Sequence, residues 1–161
     1  MDLDERKEKI KLLQMKNNRN NIIKEYISKD IHLTFSSFVD PQFSRKLLIN
    51  FYNEIEMLGE NKEEFKFKHS YPKAVKELEL LYKKIPTHLL EMVVIIFHFN
   101  YRETGAISLR LKDIFSDIKW IVNFSGYYKG DFDFVVVEST FKLGICIERF
   151  EYWDIFTSWG F

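Results

Sequence analysis

The stretch MVVIIFHFNYRETGAISLRLK, residues 92–112, is where the pattern of the chain changes. Met92 to Arg102 is rich in β-branched and aromatic side chains, Glu103-Thr104-Gly105 supplies a turn, and Ile107, Leu109 and Leu111 then alternate with Ser108, Arg110 and Lys112. A period near two on both sides of a turn predicts an antiparallel hairpin. Towards the carboxyl end, Phe132–Glu138 and Leu143–Phe150 predict a second hairpin, and Ile155–Trp159 a final strand. Asp113–Phe124 is open between a short helix and a strand, and Gly126–Gly130 reads as a loop.

Towards the amino end the period is near 3.6. Asp40 and Pro41 open a helix and Gly59 closes it, with Phe43, Leu47, Leu48, Phe51, Ile55 and Leu58 on one face. Ser70 and Pro72 open another, striped by Val75, Leu78, Leu81, Tyr82 and Ile85 and ended by Pro86. Asp2, Asp4 and Glu5 ahead of Arg6, Lys7, Lys9 and Lys11 suit a helix start. The asparagine-rich Asn17–Asn21 leaves that first helix either continuous or split in two. Ile31, Leu33 and Phe35 alternate like a short strand, and Glu60–His69 reads as a charged connection. The expected architecture is one α+β domain over residues 1–161, N-terminal helices (about 1–86) packed on a C-terminal antiparallel β-sheet (about 87–161).

Composition bounds the function. A chain of 161 residues with 46% apolar side chains buries a core without disulfides or a structural metal. Lysine and arginine balance aspartate and glutamate at 24 each, so no global field favours nucleic acid or anionic lipid, and any charged partner must meet a local patch. The longest apolar run, Met92–Phe97, is far short of the roughly 20 residues that span a bilayer. Met1–Lys11 is too charged for a secretory signal, and the single Cys146 cannot form an internal bridge. A cytoplasmic location is expected, with no cofactor, no metal and no membrane or nucleic-acid partner.

Three constellations carry chemistry. Strand alternation would put His98, Asn100 and Arg102 beside Ser108, Arg110 and Lys112 as a basic patch, against the bland reading of a solvated sheet face. With Glu148, the pair His98 and Arg110 could serve a small metal-independent ribonuclease-like enzyme as acid, base and phosphate-binding cation. Cys146, between Ile145 and Ile147, reads as a small core residue rather than a nucleophile. The strongest regional bias is acidic and aromatic: Asp131, Asp133, Glu148, Glu151 and Asp154 lie among Phe150, Tyr152, Trp153, Phe156 and Trp159. Acid beside large aromatics is the composition of an anchor patch for a basic protein partner, with Asp131, Asp133, Glu148, Glu151, Trp153 and Asp154 as contacts.

The same segment, Phe134-Val135-Val136-Val137-Glu138 through Gly144-Ile145-Cys146-Ile147-Glu148-Arg149-Phe150-Glu151 to Trp159-Gly160, resembles the tail of small bacterial immunity proteins. Those are cytoplasmic inhibitors that neutralise a cognate secreted toxin, often a nuclease. The resemblance spans the last third of the chain and implies a non-enzymatic protein that binds one partner, a basic toxin domain. It transfers no functional residue.

Overall fold

The computed structural model describes residues 2–161. Its first helix, α1 (Leu3–Ile27), is continuous through the asparagines and starts on a capping box made by Asp2 and Glu5. Helix α2 (Pro41–Met57) starts where Asp40 accepts from the backbone N–H groups of Gln42 and Phe43. Helix α3 (Tyr71–Lys84) starts on Ser70. Among the described residues six strands form one antiparallel sheet: β1 (Glu63–Phe67), β2 (Val93–Ile96), β3 (Ile107–Arg110), β4 (Phe134–Val137), β5 (Gly144–Arg149) and β6 (Asp154–Trp159), in the spatial order β1-β6-β5-β4-β2-β3. Three shorter helices, α4 (Tyr101–Thr104), α5 (Leu111–Ser116) and α6 (Ile118–Ser125), connect strands in the second half. The fold is α+β, as expected.

Both faces of this sheet are covered. Val94, Ile96, Ile107, Phe134, Val136, Ile145 and Phe156 face α3, α5, α6 and the end of α1, where Tyr26, Leu78, Ile114 and Ile121 are buried. Ile95, Val135, Val137, Cys146 and Trp159 face α2, which buries Leu47, Phe51 and Ile55 against them. A strand buried on both faces needs no polar alternation, which accounts for the unbroken apolar runs Val94–Ile96 and Phe134–Val137. Apolar area on two sides of one sheet is the dominant stabilisation here.

Several expectations are corrected. The charged connection 60–69 contains β1, an edge strand whose Phe65 and Phe67 pack on the core. Its Glu63, Glu64 and Lys66 leave a charged outer edge of the kind that discourages pairing with another chain. Ile31 and Leu33 are buried but lead into a 3-10 turn, Phe35–Ser37, rather than forming a strand. Of the two readings open for Asp113–Phe124, the helical one holds, in two short helices. The first hairpin pairs only Val93–Ile96 with Ile107–Arg110, because the chain then leaves the sheet for α4. Gly105 explains the sharp return: at φ 85° it passes so close to the Val39 carbonyl that an added Cβ would stand 1.7 Å from that oxygen. The three long helices precede residue 86 and five of the six strands follow it, with β1 ahead of that point and the short helices α4 to α6 after it.

Candidate functional site: the β5–β6 turn and its acidic surroundings

In the register of β5 and β6, Arg149 is opposite Asp154, and Phe150, Glu151, Tyr152 and Trp153 form the connecting turn. The Phe150 N–H donates to the Trp153 carbonyl at 2.9 Å and closes it. Phe150, Tyr152 and Trp153 are 43%, 67% and 40% exposed, so the turn holds three neighbouring aromatic side chains in water. The Lys66 ammonium stands 5.0 Å from the centre of the Trp153 ring, which fixes that ring against the edge strand by a cation–π contact.

The turn is pinned from beneath by Asp154. Its side chain is fully buried, and one carboxylate oxygen accepts from His69 Nδ1 at 2.8 Å and Arg149 Nε at 3.4 Å. The other accepts from the Tyr127 hydroxyl. His69, just ahead of α3, also reaches the Glu151 carbonyl through Nε2 at 3.0 Å. Both partners of the ring are acceptors, so only the imidazolium, with two N–H groups, serves both. The loop 126–131 closes the other side: Arg149 lies 4.6 Å over the Tyr127 ring, and its guanidinium stands 3.0 Å from where a Cβ on Gly130 would be.

The Glu151 carbonyl and, after it, Asp154 raise the His69 pKa above its ordinary 6.5. A group whose folded pKa is raised stabilises fully below its unfolded value and less as pH climbs through the folded one. The stability difference between the protein and His69→Gln is therefore expected to be largest at about pH 6 and to shrink towards about pH 9. Parallel thermal melts of both proteins across that range check it, and a constant difference would contradict the imidazolium.

The six expected contact residues fall into three groups. Asp131, Glu151 and Trp153 lie at the surface, where partner contact requires them. Asp133 and Glu148 are half-buried towards α2. Asp133 accepts from the Tyr52 hydroxyl at 2.8 Å and from the Arg149 backbone N–H at 3.0 Å. Burial, then the neighbouring Asp133 and Glu64, raises the Glu148 pKa, with Lys62 opposing. Asp154 differs from the expected surface contact: it has no exposed surface, and its three donors make it a support of the turn. The expectation also passed over His69 and Tyr127, each joined to Asp154 only by the fold.

The expected basic patch does not form. His98 lies past the end of β2, buried, with Nε2 at 3.2 Å from both the Gly105 carbonyl and the Thr104 hydroxyl and its ring against Phe124. Burial pushes its pKa down to about 4. Arg110 is on edge strand β3, paired with Glu91 at 3.3 Å and Asp113 at 3.8 Å, while Glu148 faces α2. The acid, base and cation of the ribonuclease-like reading are thus in three different settings. Cys146 is a buried core thiol whose pKa burial raises.

These features describe an α+β protein that presents a braced aromatic turn beside acidic side chains. A model of the YxiF protein family matches residues 22–159, so the chain belongs to that family. No curated protein and no solved structure matches it. No helix among the described residues is long and apolar enough to cross a membrane.

Proposed function

We propose that this chain is a protein-binding inhibitor of immunity type, which neutralises a basic toxin domain by direct contact through the β5–β6 turn. The observation that carries this reading is three exposed aromatics on a turn whose base is locked by a fully buried carboxylate. Ordering a loop on binding costs conformational entropy, so a turn already ordered in the free protein keeps more of its contact energy as affinity. Large, rigid aromatics are the side chains that most often dominate such contacts. Glu151 within the turn and Asp131 on the neighbouring loop supply the negative charge that would steer a basic surface. The resemblance of the C-terminal third to immunity proteins agrees with this.

Co-purification of the tagged chain from its native host, followed by identification of the bound protein, is the direct test. A basic toxin domain bound in equal stoichiometry is the expected result; recovery of the chain alone from cells that express such a toxin would refute the proposal. Steering gives a second prediction. The double variant Asp131→Lys and Glu151→Lys should slow association with that toxin by about tenfold and weaken its salt dependence. Among the described residues both side chains are exposed and make no hydrogen bond or ion pair, so melting should be nearly unchanged. Reversal at Asp133 would instead break the Tyr52 bond and confound the reading. Unaltered association rates in rapid-mixing measurements would remove these two acids from the encounter surface.

A further inference from the structure

Where α2 meets α4 the surface opens into a hollow of about 390 Å³. Leu48 and Tyr101, both buried, form its floor, Ile49 and the half-buried Tyr52 its wall, and the exposed Arg45 and Arg102 its rim. Arg45, Leu48, Ile49 and Tyr52 follow one another at three and four residue spacing or side by side, so they share one side of α2. Tyr101 opens α4, and its ring is held by contacts to Phe97 at 5.4 Å and Phe132 at 5.5 Å between centres. The floor is therefore fixed before any ligand arrives.

The charge of the rim is not balanced. The Arg45 guanidinium donates to the Arg102 carbonyl at 3.3 Å, and Arg102 Nε donates to the Tyr101 hydroxyl at 3.4 Å with its guanidinium 5.9 Å from that ring's centre. Two cations are thus drawn to one edge by neutral oxygens, and among the described residues neither pairs with a carboxylate. Asp133 is taken by the Tyr52 hydroxyl and the Arg149 backbone, and Glu103 borders the adjoining cleft beside α1 rather than this hollow. Each guanidinium carries five N–H donors and spends one here. An anion between the two forks would relieve their repulsion and use the remaining donors. A phosphate monoester suits them better than a carboxylate, because it brings nearly two negative charges and three acceptor oxygens. The wall decides what the phosphate is attached to. Leu48 and Ile49 offer methyl groups, and Tyr52 has already given its hydroxyl proton to Asp133, so the wall fits a flat, weakly polar ring better than a bare sugar.

We propose that this hollow binds a small phosphate monoester carrying a flat ring, the chemical class of the nucleoside monophosphates. The phosphate lies between Arg45 and Arg102, and the ring rests on Ile49 and Tyr52. The volume falls within the roughly 300–1,000 Å³ usual for pockets that hold small molecules. None of the turn residues 150–153 lines the hollow, so its occupancy and partner binding at the turn are separate properties of the chain.

Titration calorimetry of the full chain tests this, with the monophosphates of adenosine, guanosine, cytidine and uridine and with phenyl phosphate as probes. At least one should bind at a single site per chain. Inorganic phosphate and the matching nucleoside or phenol should each bind at least about tenfold more weakly, since each meets only half of the site. Arg45→Gln, Arg102→Gln and Ile49→Asp should each lower the affinity by about tenfold or more. All three positions are exposed, so the melting curves of the variants should stay close to that of the parent. Absence of binding by every probe at about 5 mM would overturn the proposal, as would arginine variants that bind like the parent. Inorganic phosphate bound as tightly as the best ester would remove the ring from the site. A 5′-phosphorylated oligonucleotide bound far more tightly than its monophosphate would replace the free small molecule with the end of a nucleic acid, and either result refutes the assignment.

Discussion

Replacing Asp154 with alanine is expected to destabilise the protein by about 2–4 kcal/mol, because it removes a fully buried carboxylate shared by three donors, two of them on partly exposed side chains. The Arg149 guanidinium and the His69 imidazolium would face each other without the carboxylate that separates them, and the buried Tyr127 hydroxyl would lose its acceptor. At about 2–4 °C per kcal/mol for a chain of this size, the midpoint should fall by roughly 10 °C. Asp154→Asn keeps the shape and one acceptor oxygen, and its loss should be smaller. Tyr127→Phe separates the contributions: made in the Asp154→Ala background, it should cost less than in the parent, since the hydroxyl has already lost its partner. Calorimetric melts of the four proteins give the coupling. Equal costs in both backgrounds would mean that the hydroxyl and the carboxylate act independently, and the brace beneath the turn would then not be a unit.

What the chain discloses by itself follows from how far apart the cooperating residues are. Helices α2 and α3 were legible because Asp40, Pro41, Ser70 and Pro72 act within a few residues of themselves. The β4–β5 hairpin was legible because its strands are neighbours in sequence as well as in space. β1 was not: Glu63–Phe67 alternates over only five residues and pairs with β6 some ninety positions away, so its charged edge reads as a linker. The solvated face expected of the sheet failed for a related reason. Helix α2 covers the second face from a distance, and local alternation near Ser108 and Arg110 says nothing of it. At the candidate site, composition singles out the acidic and aromatic segment but cannot sort its buried side chains from its exposed ones. Asp154 and Glu151 lie three residues apart, yet one is wholly buried and the other exposed. The difference is made by His69, 85 residues upstream, and by Tyr127, 27 residues upstream.

That sorting makes Trp153 the side chain on which the partner-binding proposal turns. Truncation of a central aromatic anchor costs at least about 2 kcal/mol of binding, roughly a thirtyfold loss of affinity, and the loss is expected mainly in the off-rate. Trp153→Ala should therefore leave association with the co-purified partner nearly unchanged and shorten the life of the complex by about thirtyfold or more. Folding is a separate question with a separate answer. The ring is 40% exposed, its polar contact is the Lys66 ammonium at 5.0 Å, and the brace under the turn is built from Asp154, His69, Arg149 and Tyr127. The free variant should thus melt within a few degrees of the parent, unlike Asp154→Ala. Biolayer interferometry for dissociation, with melts of the free proteins alongside, separates the outcomes. A large loss of stability in the free variant would place the ring in the core, and an unchanged off-rate with stability intact would move the anchor to Phe150 or Tyr152. The contrast with Asp154→Ala is the informative part, because that variant should weaken binding through a loosened turn and lose stability together, whereas Trp153→Ala should lose binding alone.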